Sequence, residues 1–106
     1  MKINILGAEY DFAESSAKED VRLQENDGYH DGYAKIIRVE SDYNENNSQS
    51  IQNFDEFRKM IKRHELVHAF FFASGLREYS DNELLVDWIA MQFPQMFSVF
   101  KEVGAV

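Results

Sequence analysis

Residues 63–76 read RHELVHAFFFASGL: two histidines, His64 and His68, stand four apart, and Glu65 follows the first. On a helix, residues i and i+4 share a face one turn apart. Both imidazoles can therefore turn a ring nitrogen towards one ion about 2.0–2.1 Å away. Glu65 is rotated by about 100° from His64, which takes it off the ion but leaves it within reach of a water held there. This is the mechanical content of the H-E-x-x-H pattern. Zinc brings the pKa of its water towards 7, and the glutamate takes the proton as the water attacks a peptide carbonyl. The competing reading is a pair of neutral core histidines, each hydrogen-bonded, because both fall on an apolar stripe where an unpaired polar group is expensive. Ligand spacing around a glutamate favours the metal.

Two histidines do not complete such a site. A catalytic zinc takes a third protein ligand and leaves the fourth position open. The chain has no cysteine, so the third ligand is a carboxylate or His30. Glu83 and Asp87 lie four apart on the following helical segment. Asp87 is the expected ligand. In a hairpin folding back near residues 77 and 78 it lies opposite His68, while Glu83 lies opposite Phe72, about 6 Å further along the axis. Glu83 is the alternative, although its spacing from Ser80 also suits a capping box. Peptide hydrolysis further needs a donor for the oxyanion, for which Tyr33, Tyr79 and His30 are candidates.

The elements that must position these residues change character near residue 53. Residues 1–40 read as a strand region. KINIL and EYDF are short strands around a turn at Gly7, and YAKIIRVE, residues 33–40, is a β-branched strand. Between them SSAKEDVRLQENDG is polar and ambiguous, and residues 41–52, SDYNENNSQSIQ, read as a polar loop. A helix over 53–74 is predicted by the capping-box spacing of Asn53 and Glu56 and by the three- and four-residue steps through Phe54, Phe57, Ile61, His64, His68 and Phe71. Gly75 stops it. A second helix over 80–103 starts at Ser80 and must kink or restart at Pro94. The cationic run RKMIKR reads as a solvated face, and the FFF of residues 70–72, spanning about 200° of helix, must touch more than one neighbour. Strands first and helices after them predict an α+β fold, a small and mostly antiparallel sheet on two main helices.

At 106 residues the chain suits one domain with one core, and nine phenylalanines make that core aromatic. A net charge of −8 argues against a phosphate-tracking nucleic-acid binder and leaves open an acidic surface offered to a basic partner. No stretch reads as a signal peptide or a membrane span, so a soluble cytoplasmic protein is expected.

RHELVHAFFFASGL followed by DNELLVDWIAMQFP resembles the small zincin-type metallopeptidases of phages and mobile elements, relatives of the ImmA/IrrE-type peptidases. The resemblance covers the helical half and, more loosely, GYHDGYAKIIRVE. It implies a small sheet packed on the H-E-x-x-H helix, with an edge strand lining the cleft and holding the substrate backbone. It also implies His64 and His68 as zinc ligands, Glu65 as general base, a third ligand from the downstream acidic helix, and a protein substrate such as a transcriptional regulator. The sequence departs from the pattern at Val67, where many relatives have glycine, and in an aspartate as the preferred third ligand where relatives use glutamate. The alternative function is a non-enzymatic, acidic phage-type binding or inhibitor protein with a structural or vestigial metal site. Glu65 separates the two, because a structural site needs no base beside it.

Overall fold

A computed structural model describes residues 1–41 and 53–106; the expected 41–52 loop, but for Ser41, lies outside the described residues. Strands β1 (Lys2–Ile5), β2 (Ala8–Ser15), β3 (Gly28–Asp31) and β4 (Ile36–Glu40) form one sheet in the order β1-β2-β4-β3. The β1–β2 hairpin turns on Leu6 and Gly7, both at positive φ (53° and 89°), the backbone that a two-residue turn matched to strand twist demands. Asn4 Oδ1 accepts from Gly7 N across it at 2.9 Å. β2 pairs parallel with β4, and β3 pairs antiparallel with β4. Two of three pairings are thus antiparallel, and the fold is α+β as the element order predicts. The segment expected as one strand from 33 to 40 is extended only from Ile36, because residues 32–35 form the turn that reverses β3 into β4. A 3-10 turn (Val21–Leu23), capped by the Asp20 side chain, fills the ambiguous stretch and buries Leu23.

Helix α1 (Phe54–Ala73) begins at Asn53, whose side chain accepts from Glu56 N. It ends at Gly75, at φ 80°. Gly75 N bonds to Phe72 O and Leu76 N to Phe71 O, a paired closure that satisfies the last carbonyls and reverses the chain. The second helix does not start at Ser80. A separate helical turn, α2 (Arg77–Ser80), comes first, and Asn82 caps α3 (Glu83–Glu102) by accepting from Leu85 N. Ser80 therefore caps nothing, and its buried hydroxyl is free for other use. Nor does the chain restart at Pro94, which lies inside α3. Proline deprives the carbonyl four residues back of its donor. That carbonyl is Ala90 O, and Arg63 Nε of α1 donates to it at 2.5 Å. Arg63 thus leaves the solvated cationic run expected for it and repairs the neighbouring helix. Lys62 stays at the surface with Glu14, 3.4 Å away.

One face of the sheet packs on α1. Strand alternation sends Ile37 and Val39 inward, both 0% exposed, and Ile5, Tyr10, Ile37 and Ala69 form the core cluster. The buried line of α1 is Ile61, Glu65 and Ala69, not the stripe through the histidines. Sheet and α3 press on different sides of α1, and His64 and His68 fall in the seam between them. The three phenylalanines divide as their angular spread requires: Phe72 turns to β3, Phe71 to Tyr79, and Phe70 to a groove shared with α3. Among the described residues no helix is long and apolar enough to cross a membrane.

Candidate metal centre

Edge strand β3 comes against α1 because two of its flanking positions carry no side chain. A Cβ at Gly28 would stand 2.9 Å from Ile61 Cγ2, 3.0 Å from Arg38 O and 3.2 Å from Glu65 Cγ. One at Gly32 would clash with one edge of the Phe72 ring. Between β3, α1 and the start of α3 lies a cleft of about 730 Å³, with His64, Glu65, His68 and Glu83 on one side and His30 and Tyr29 on the other.

His64, His68 and Glu83 form a group that could hold a metal ion. The two Nε2 atoms are 3.1 Å apart. Glu83 straddles them, Oε2 at 3.1 Å from His64 Nε2 and Oε1 at 3.1 Å from His68 Nε2. One ligand atom from each of the three residues lies within 4.8 Å of the others, a spacing that a single ion could gather.

Hydrogen bonds on the far sides of the rings decide what these nitrogens carry. Ser80 Oγ donates to His68 O at 3.2 Å, which spends its proton, so at 3.1 Å it must accept from His68 Nδ1–H. Asp87 Oδ1 lies 2.7 Å from His64 Nδ1 and accepts from it. With both Nδ1 atoms engaged by these partners, the two Nε2 atoms face each other across 3.1 Å with the Glu83 carboxylate against both. Two imidazole nitrogens and a carboxylate at this spacing are held together by ring protons or by a cation between them. Burial holds the His68 imidazole below its ordinary pKa against the opposing pull of Glu83.

Asp87, expected as the third ligand, stands 2.7 Å from His64 Nδ1, while the candidate donor group takes Glu83. The register explains the exchange. The hairpin does not fold back at 77 and 78: the chain turns at Gly75 and then spends Arg77–Ser80 on α2. His68 accordingly meets Ser80 and Glu83, while His64 meets Glu83 and Asp87. The pairing has moved by one helical turn from the expected one.

Glu65 lies beside this group, 6% exposed under Gly28. Burial pushes its carboxyl up to about 8, and the charges of Glu83, Asp27 and Asp87 add to the effect. A carboxyl poised near neutrality is suited to exchange protons at pH 7. No protein-family model, curated protein or solved structure matches the chain. The chemistry of the site carries the functional reading by itself.

Of the three oxyanion candidates, His30 and Tyr33 line the cleft and Tyr79 does not. The His30 ring stacks nearly parallel to that of His68, centroids 6.4 Å apart, and bonds to Tyr10 OH through Nε2 at 3.0 Å. Burial first, and the His68 ring second, bring its pKa to about 4, so it is neutral in the working range. Tyr33 is 81% exposed at the rim, its hydroxyl accepting from Arg77 Nη1 at 2.9 Å. Residue type and spacing alone did not point to Ser80 or Gly28. Ser80 looked like a cap, and the need for a bare backbone at Gly28 exists only once α1 lies against it.

Proposed function

We propose that this protein is a zinc metallopeptidase that hydrolyses a peptide bond of a protein substrate. The observation that carries the reading is the pair of imidazole Nε2 atoms, 3.1 Å apart and spanned by Glu83, with the buried carboxyl of Glu65 alongside. Two imidazoles and one carboxylate make a ligand set of catalytic zinc, which keeps a position open to the cleft. When bound, zinc supplies Lewis acidity, polarising a carbonyl and lowering the pKa of water. The rest falls to the chain. His64 and His68 hold the ion with tautomers fixed by Asp87 and Ser80. Glu65 takes the proton of the attacking water and delivers it to the departing amine, a shuttle favoured by its raised pKa. His30, on the opposite wall with Nε2 bonded to Tyr10 OH, would donate from Nδ1 a hydrogen bond to the carbonyl oxygen as negative charge develops on it.

The resemblance to ImmA/IrrE-type peptidases supports a protein substrate, with a transcriptional regulator as the first class to assay. Zinc content and proteolysis are measured together for the parent, Glu65→Gln and His64→Ala, on casein and on co-expressed DNA-binding regulators. Glu65→Gln keeps zinc and loses cleavage; His64→Ala loses both. Parental cleavage by Glu65→Gln would refute the mechanism. No zinc in the parent, with biological activity intact, would leave the acidic binding protein as the function.

A further inference from the structure

Helix α3 is half bare. Val86 and Ala90 are fully buried, and Ala90 accepts from Arg63 of α1. From Met91 to Glu102, however, every residue but the half-buried Met96 is exposed. The stripe to which Val86 and Ala90 belong does not turn polar where the packing ends. It continues at three- and four-residue steps through Phe93, Phe97 and Phe100, which are 49%, 41% and 46% exposed, with Ile89, Met96 and Val103 along its border. At 100° per residue these side chains occupy one sector about 140° wide, with Lys101 at its edge and Asp87 and Glu102 outside it. Phe93 and Phe97 already stack, centroids 5.9 Å apart. An amphipathic helix with a continuous apolar stripe is stabilised by the surface that stripe covers.

The same face carries a matching recess. A groove of about 360 Å³ between α1 and α3 is lined by Leu66, Val67, Phe70, Phe71, Ile89 and Phe93, with Arg63 at its margin. Phe93 thus closes the groove and begins the bare stripe. Projecting rings and an apolar recess on one face of one chain are what a twofold, self-complementary contact requires.

We infer that the exposed half of α3 is the interface of a homodimer, with α3 packed antiparallel on α3 of a second copy about a twofold axis near Met96 and Phe97. An axis there sets Phe100 of each copy opposite Phe93 of the other. These positions are seven residues and about 10 Å apart along each helix, so the Phe100 ring enters the groove that Phe93 closes. The area agrees with this occupant. Phe70, Phe93, Phe97 and Phe100, each about half exposed, offer roughly 400 Å² together. Ile89, Met96, Val103 and the helix rim bring each copy to about 600–800 Å², which is the contribution per partner in a specific dimer. The sector itself holds no charged side chain, and at its margin Lys101 Nζ lies 5.4 Å from the centre of the Phe97 ring. The dimer does not depend on the metal or on catalysis.

Sedimentation equilibrium of the full chain over a wide concentration range gives the mass. A species of twice the 12.4 kDa protomer mass is expected. Phe97→Glu removes a ring that is 41% exposed and stacks on Phe93 of its own helix; it should raise the dimer dissociation constant by at least about 30-fold while leaving the circular dichroism spectrum unchanged. Met91→Glu, 60% exposed on the opposite side of the same helix, should leave the mass unchanged. The chain has no cysteine, so Met96→Cys should give a single disulfide-linked dimer on mild oxidation. A parent that stays monomeric at every concentration overturns the proposal and leaves the stripe to a different protein. Equal disruption by Met91→Glu, or an open series of larger assemblies, overturns it as well.

Discussion

Glu83 and Asp87 sit one turn apart on α3, and their substitution should separate a ligand from a ligand's support. A zinc site of four ligands is worth about 10–16 kcal/mol in all, hence about 3 kcal/mol for each. Glu83→Ala should therefore weaken zinc binding by more than about 100-fold. Asp87 touches only the far nitrogen of His64. Loss of such an outer partner costs about 10- to 100-fold. Asp87 is 51% exposed, so water can replace it at Nδ1, and the effect should sit near about 10-fold. Ser80 supports His68 in the same way but is only 6% exposed. No water takes its place, and Ser80→Ala should fall between the other two. Competition of each variant with a fluorescent chelator, at fixed neutral pH, gives the three affinities directly. The order Glu83, then Ser80, then Asp87 is expected. An Asp87→Ala loss equal to or larger than that of Glu83→Ala would mean that the His64 ring turns over around the ion, and it would restore Asp87 as the third ligand.

Two further outcomes follow from the packing. With zinc chelated, Glu65 has a folded-state pKa of about 8 against an ordinary value of 4.5. Its contribution to stability is fully present below 4.5 and is lost as pH rises through 8. Urea denaturation of the chelated protein should show stability falling across that window by an amount on the order of a few kcal/mol, and Glu65→Gln should flatten the fall; an unchanged slope refutes the burial argument. Arg63→Ala should cost about 1–3 kcal/mol by orphaning Ala90 O, and much less in a Pro94→Ala background, where residue 94 supplies the missing donor. Equal cost in both backgrounds, in a thermal or urea double-mutant cycle, would show that Arg63 acts through something other than that carbonyl.

The sequence made the helix that carries the site legible, because cap, stop and histidine spacing are all local signals. Asn53 caps α1 and Gly75 ends it where expected, and His64 and His68 come together in consequence. Register between helices was not legible. It depended on whether residues 77–80 formed a turn or a helix, and four residues of helix moved the partner of His68 by one turn, from position 87 to 83. Ser80 was misread for the same reason: a serine three before a glutamate satisfies the capping pattern whether or not its hydroxyl faces a backbone N–H. The antiparallel hairpin at Leu6–Gly7 could be read from sequence, but the parallel β2–β4 pair could not, since nothing local ties residues 11–15 to 36–40. Pro94 was read correctly as a loss of a hydrogen bond. The remedy came from a side chain 27 residues away.

All donors of the candidate centre, and both groups that orient them, fall between His64 and Asp87. The contacts of the two histidines with α2 and α3 close loops of 12 to 23 residues between neighbouring helices, whereas the sheet joins strands across 25 residues in parallel register. Short closures form early in a folding chain, and parallel strand pairing forms late. The helical segment can therefore gather its imidazoles before the sheet is built, and an ion captured at that stage would act as a folding nucleus. Refolding should run faster with zinc present than after its removal, and the gain should vanish in His64→Ala.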